Sequence, residues 1–104
     1  MAAVRWTISA REDLRAIVEY IGRDSPTYAA ATAARVVSAV GKLRRHPALG
    51  RVVPELENPT IRELIVRSYR VIYQIRGQQV GVLAVVHGSR ELLRKIVKKP
   101  WSFE

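Results

Sequence analysis

Residues 61–86 read IRELIVRSYRVIYQIRGQQVGVLAVV, and the pattern of this stretch decides the fold. IRELIV (61–66) has the branched, apolar composition of a strand. In SYRVIYQIR (68–76), Tyr69, Val71, Tyr73 and Ile75 fall on one side, and Arg70, Ile72, Gln74 and Arg76 on the other. That is the period of two of an extended chain. Gly77-Gln78-Gln79 supplies a turn. VGVLAVV (80–86) is apolar on both faces, which predicts an interior strand covered in part on both sides.

Working upstream, Ala2, Val4, Trp6 and Ile8 alternate with Ala3, Arg5 and Thr7, a half-buried strand over 2–8. Ser9-Ala10-Arg11-Glu12 then reads as an S-x-x-E capping box, with Leu14, Ile17, Val18 and Ile21 at helical spacing and Gly22 near the end. Asp24-Ser25-Pro26 restarts a helix through a cap residue and a first-turn proline. It runs to about Arg45, with Ala29, Ala33, Val36, Val37, Val40 and Leu43 as its apolar stripe. Arg44 and Arg45 lie in the last turn, where the helix dipole favours cations. HPALGRVVPELENPT (46–60) holds three prolines and Gly50, a long connection with room for one short strand. Downstream, Ser89 is placed to cap a short helix with Leu92, Leu93, Ile96 and Val97 on its apolar side, closed by Pro100. The order is β–α–α–β–β–β–α. The expected fold is α+β: an N-terminal strand and a helical hairpin packed on an antiparallel sheet of about four strands, with a short C-terminal helix.

The 104 residues suit one domain, 1–104, with one modest core. No apolar run reaches the ~20 residues that span a membrane. MAAVRWTIS lacks the apolar segment of a secretory signal, so the expected setting is soluble and cytoplasmic, with no membrane partner. The absence of cysteine excludes disulfides, thiolate metal sites and cysteine nucleophiles. With only His46 and His87 beside it, no metal site is expected. No GxGxxG, P-loop or Gly-x-Ser-x-Gly occurs, so no cofactor is expected. Charge is more telling: 18 Lys+Arg against 9 Asp+Glu give +9, and fourteen of the cations are arginine. Such an excess points to a polyanionic partner, whether nucleic acid, ribosome or acidic protein.

The candidate functional set is Arg62, Arg67, Arg70 and Arg90 with Tyr69, Tyr73 and His87. Neighbouring strands lie ~4.8 Å apart, so these side chains can converge on one sheet face. Guanidinium groups beside an imidazole suit a phosphodiester, with the arginines holding developing charge and His87 moving a proton. The plainer alternative is a solvated basic face that binds an acidic protein segment, with His87 holding the turn after its strand. Glu12, Asp13 and Glu19 read as helix-capping and surface-pairing residues. LLRKIVKKPW (92–101) has an apolar and a basic side, and can pack on the sheet or dock a partner through Leu92, Leu93 and Trp101.

VRWTISAREDLRAIVEYIGRDSPTYAA (4–30), LRRHPALGRVVPE (43–55), IRELIVRSYRVIYQI (61–75) and VVHGSR (85–90), in that order, resemble the RelE/ParE superfamily of type II toxins. The resemblance implies a helical hairpin on a curved antiparallel sheet. It implies a cognate antitoxin with a flexible, acidic C-terminal segment, operator DNA being contacted only through that antitoxin. RelE-like members cut mRNA on the ribosome, and Arg70 and Arg90 match arginines of that branch, with His87 as a third catalytic candidate. Two features depart from it. IRELIV stands where that branch carries lysines, and Ile96 where it carries a tyrosine. GRVVPE and RELIVRSYRVIY look more like the ParE branch, which inhibits DNA gyrase without a catalytic set. No gyrase-contacting residue is carried over from that branch; the residues expected to contact antitoxin or target are Arg62, Arg67, Arg70, Tyr73, Arg90, Leu92, Leu93 and Trp101.

Overall fold

The computed structural model describes residues 1–88 and 101–103. In chain order the elements are β1 (Ala3–Trp6), α1 (Ile8–Gly22), α2 (Pro26–Gly41), two short 3-10 turns (Lys42–Arg44 and Pro47–Leu49), β2 (Arg51–Val52), β3 (Ile61–Val66), β4 (Tyr69–Arg76) and β5 (Gln79–Val86). One sheet holds all five strands in the order β1-β5-β4-β3-β2. The fold is α+β as expected, with two corrections to the sheet. It has five strands among the described residues, because the proline-rich connection contributes β2 against Arg62 and Glu63. It is also mixed, because β1 runs parallel to β5. Alternation reports which face a residue occupies, not the direction of its strand. The expected C-terminal helix, with Ser89 as its cap and Leu92, Leu93, Ile96 and Val97 on its apolar side, lies outside the described residues.

β3, β4 and β5 are joined by two-residue turns, Arg67-Ser68 and Gly77-Gln78. Tight hairpin turns favour left-handed backbone at their central positions. Gly77 takes φ 58° without a Cβ penalty, whereas Arg67 takes φ 56° with a full side chain. Between β4 and β5 the register slips by one: Ile72 faces Ala84 while Tyr73 faces Val82, so Leu83 is an extra residue. This bulge turns Leu83 and Ala84 both towards the outer layer, with Ile72, Val53, Ile61 and Val86. Val82 and Val85 stay on the helix side with Ala10, Val36, Val40 and Val71. β5 is therefore covered on both faces, as its unbroken apolar run requires.

The first helix starts earlier than the S-x-x-E pattern predicts. Thr7 is its N-cap, accepting from Ala10 N at 3.2 Å and donating to Val82 O at 2.8 Å. The Thr7 N–H also donates to Val82 O, at 3.0 Å, so one residue both ends β1 on β5 and opens α1. Ser9 lies inside the first turn, and Glu12 is solvent-exposed with no box to complete. Asp13 does more than pair at the surface. β1 stops beside Val82, and the Val85 N–H beyond its reach is taken by Asp13 Oδ2 at 3.0 Å. α2 begins as expected on Ser25 and Pro26. Its buried stripe is Ala29, Thr32, Val36 and Val40, continued by Leu43; Val37 faces solvent. Thr32 tolerates burial because its hydroxyl donates to Tyr28 O at 2.9 Å.

Candidate functional site

The expected arginine cluster separates into three environments. Arg70 stands on the outer face of β4. Its Nε donates to Glu63, and Nη1 and Nη2 donate to the two oxygens of Glu55 at 2.8 and 2.9 Å. All three guanidinium nitrogens are engaged, and the side chain is 12% exposed. Glu63 is 0% exposed and also accepts from Arg51 Nε at 2.6 Å. A buried carboxylate is tolerated only when paired and hydrogen-bonded, and here two guanidiniums perform that task. The Glu55 hydrogen bonds and the Glu63 contact raise the Arg70 pKa above its ordinary value, against the opposing effect of burial. The resulting chain, Arg51–Glu63–Arg70–Glu55, ties β2, β3, β4 and the following connection together.

Arg62 points the other way. Its Nη1 donates to Gly50 O at 2.8 Å, holding the proline-rich connection. Tyr73 is wholly buried; its hydroxyl donates to Pro47 O at 2.7 Å and accepts from Gly50 N at 2.9 Å. Burial pushes the Tyr73 pKa up, while the Gly50 N–H and the Arg62 charge pull it partly back. Neither residue presents its polar end as a free contact surface.

Trp101 packs on its own sheet. Its indole N–H donates to Gln74 Oε1 at 3.1 Å, and the Arg76 guanidinium lies 4.1 Å from its ring centre. The ring rests on Gly81, where an added Cβ would stand 2.9 Å from it. The next residues continue the attachment: Ile8 N donates to Ser102 O at 2.8 Å, and Arg11 Nη2 to Phe103 O at 2.8 Å. Arg5 stacks 4.1 Å from the Phe103 ring centre. His87 is exposed, with its ring 5.1 Å from that of Tyr69. Arg90, Leu92 and Leu93 lie outside the described residues.

Of the expected contact residues that the structure describes, Arg67 stays on the surface. Its guanidinium lies 4.7 Å from the Tyr28 ring centre. It rims a groove between α2 and β3 lined by Ala34, Arg35, Ala39, Lys42, Ile65 and Val66 among others. Among the described residues, three cations and no carboxylate line this groove, and Ile65 is 56% exposed beside it. β2 pairs β3 only at Arg62 and Glu63, so among the described residues no strand flanks Leu64–Val66 on that edge. Sequence reading missed Glu63, Glu55 and this groove. One signal for Glu63 was present: in IRELIV the glutamate shares its face with Ile61 and Ile65, the mark of a buried acid in need of a partner.

The arrangement of a helical hairpin over a sheet, with an ion-paired outer face and a basic groove at one edge, now meets its relatives. Residues 4–92 match the family described as ParE toxin of type II toxin–antitoxin system, parDE. Toxin RelE2 of Caulobacter vibrioides is 37% identical over 91 residues, covering 86% of this chain and 99% of that protein. Putative toxin Y4kP of Sinorhizobium fredii is 37% identical over 90 residues, covering 85% and 90%. Among solved structures, the chromosomal ParDE system of P. aeruginosa shares the fold with a TM-score of 0.71 at 24% identity, covering 86% of this chain and 98% of that one. The RelBE2 toxin–antitoxin complex of Mycobacterium tuberculosis gives a TM-score of 0.55 at 29% identity, covering 83% and 90%. The chain belongs to the ParE toxin family, within the RelE/ParE superfamily of type II toxin–antitoxin toxins. Among the described residues, no helix is long and apolar enough to cross a membrane.

Proposed function

We propose that this toxin arrests growth by binding DNA gyrase and does not cut RNA. The observation that carries this reading is the state of Arg70. A ribonuclease would need that guanidinium free to hold the scissile phosphate as charge develops on it. Here Glu55 and Glu63 occupy all of its nitrogens. Freeing them would leave Glu63 buried beside a single, largely exposed Arg51. The parDE description of the matching family supports the same branch.

Neutralisation is by a cognate antitoxin with a flexible, acidic C-terminal segment, and operator DNA is reached through that partner. The P. aeruginosa and M. tuberculosis relatives in fold come from a toxin–antitoxin system and a toxin–antitoxin complex, which supports this pairing. The α2–β3 groove supplies both terms such a segment needs: exposed apolar area at Ile65, and the charges of Arg35 and Lys42, unpaired among the described residues, beside Arg67.

The alternative is RelE-like cleavage of mRNA on the ribosome by Arg70, Arg90 and His87. It is favoured by the 37% identity to a protein named Toxin RelE2. A supercoiling assay with antitoxin-free, folded protein separates the two. Dose-dependent loss of gyrase supercoiling, with trapped cleaved DNA, is the expected result. No effect on gyrase, together with ribosome-dependent mRNA cleavage that Arg70→Ala abolishes, would overturn the proposal.

A further inference from the structure

The basic surface does not end with the α2–β3 groove. At the C-terminal end of α2 lies a recess of about 510 Å³ lined by Met1, Gly41, Lys42, Arg44, Arg45 and His46, and Lys42 lines both the recess and the groove. The walls of the recess present more apolar than polar surface. Met1 is 85% exposed there, Gly41 offers bare backbone, and long cations add the methylene stems that carry their charges. Among the described residues, no carboxylate lines either concavity. Nor do the side chains of Arg35, Lys42, Arg44 and Arg45 have an ion-pair partner among them, unlike Arg51 and Arg70.

The backbone under these cations is held firmly. Leu43 is fully buried with Tyr73 and Val80, and Ala2 N donates to Arg44 O at 2.8 Å. The last carbonyls of α2 are satisfied by the backbone: Lys42 N donates to Ala39 O and Val40 O, and Arg45 N and His46 N donate to Lys42 O. The side chains are therefore spared that task and face outward from a fixed frame.

We infer that the antitoxin's acidic segment runs on from the groove, past Lys42, into this recess, where Arg44 and Arg45 form its second anchor; this rests on the antitoxin pairing proposed above. Both concavities ask for the same chemistry. Their cations call for carboxylates, and their apolar walls call for an apolar side chain. A phosphodiester backbone meets the first demand and not the second, whereas an acidic peptide with apolar residues meets both. The dimensions agree. From Ala34 to Lys42 the helix advances about 12 Å at ~1.5 Å per residue, and the 3-10 turn adds about 6 Å to Arg45 at ~2.0 Å per residue. About five or six residues of extended chain cover that path at ~3.3 Å each. The segment has one apolar residue for Ile65 and one for Met1, with carboxylates between and beside them.

The test is calorimetric titration of the full toxin chain with its purified cognate antitoxin over a range of salt. Arg44→Gln with Arg45→Gln should weaken binding by about tenfold and flatten its salt dependence, as the loss of two interface charges does. Gly41→Glu should weaken it by about tenfold or more, because it brings a carboxylate into the recess. A Cβ at 41 meets nothing within 4 Å and glutamate is the better helix former, so the thermal midpoint should not fall. Arg15→Gln with Arg23→Gln removes two exposed charges at α1 and should change affinity less than about twofold, which controls for net charge. In the wild-type complex, amide exchange at Arg45 and His46 should slow along with that of residues 34–39. If the recess variants bind like the α1 control while Arg35→Gln with Arg67→Gln loses affinity, the recess is overturned and the groove stands. If neither site responds, the segment lies on another face; if wild type binds no antitoxin, the pairing itself fails. Duplex DNA that protects residues 42–46 where the antitoxin does not would also overturn the inference.

Discussion

At the scale of single residues, Glu63 and Tyr73 show how burial assigns a role. Glu63 sits at full depth between Arg51 and Arg70, so Glu63→Ala leaves Arg70 short of a partner and opens the outer face. We expect a loss of about 3 kcal/mol in urea unfolding, the range for breaking a buried ion pair from one side. Arg51→Ala should cost under ~1 kcal/mol, because the Arg51 side chain is 63% exposed and Glu63 keeps Arg70. Equal costs would mean that Glu63 is not held chiefly by Arg70. Tyr73 makes a pH-dependent contribution. Its folded pKa is raised by burial. The stability it supplies is therefore complete below the free phenol value of ~10 and is lost as pH rises past that value through the folded one. Tyr73→Phe should cost about 1–3 kcal/mol at neutral pH, since Gly50 N and Pro47 O lose their partner. It should also flatten the decline of the thermal midpoint above pH ~10; an alkaline decline as steep as in wild type would refute the assignment.

At the scale of elements, β5 organises the molecule. β1 pairs on one side and β4 on the other, α1 covers one face, and Trp101 rests on Gly81 of the opposite face. The attachment of residues 101–103 hangs on that contact, because a side chain at 81 meets the indole ring at 2.9 Å. Gly81→Val should displace Trp101 while leaving the β5 ladder in place. The expected readouts are a red-shifted tryptophan emission and faster amide exchange at Ile8, whose N–H donates to Ser102 O. Unchanged emission and exchange would show that the tail is not held through Gly81. The bulge at Leu83 belongs to the same scale. It lets a seven-residue apolar run serve two cores, by switching which parity of residue faces the helices.

At the scale of the whole molecule, the +9 charge is unevenly used. The outer sheet face spends Arg51 and Arg70 on internal carboxylates. The α2–β3 groove and the adjoining 3-10 turn leave Arg35, Lys42, Arg44 and Arg45 unpaired among the described residues. Antitoxin affinity should therefore fall with salt, and Arg35→Gln with Arg67→Gln should weaken it by about tenfold through two rim charges, at roughly 0.5–1 kcal/mol each. Titration of the purified pair by calorimetry checks this. An antitoxin affinity that ignores both substitutions would place its acidic segment elsewhere.

The strands β3, β4 and β5, the Ser25-Pro26 start of α2 and the helical hairpin were legible in the residues, because side-chain period and cap chemistry are set by neighbours a few positions away. The parallel pairing of β1 with β5 was not. It joins Ala3 to Gln79, and no local pattern encodes a partner that distant. The cap at Thr7 was missed for the same reason: Ser9 and Glu12 satisfy the local pattern, but the Val82 carbonyl, 75 positions away, fixes Thr7 as the residue where strand becomes helix. The candidate site divides along this line too. That the chain is basic, and that Arg62, Arg67 and Arg70 are arginines near one sheet, follows from composition and alternation. Which of them is free depends on where Glu55, Glu63 and Gly50 arrive once the connection folds back. Packing placed those groups beside Arg70 and Arg62, neutralising one and tethering the other, and among the described residues left Arg35 on α2 and Lys42, Arg44 and Arg45 at its C-terminal end unpaired.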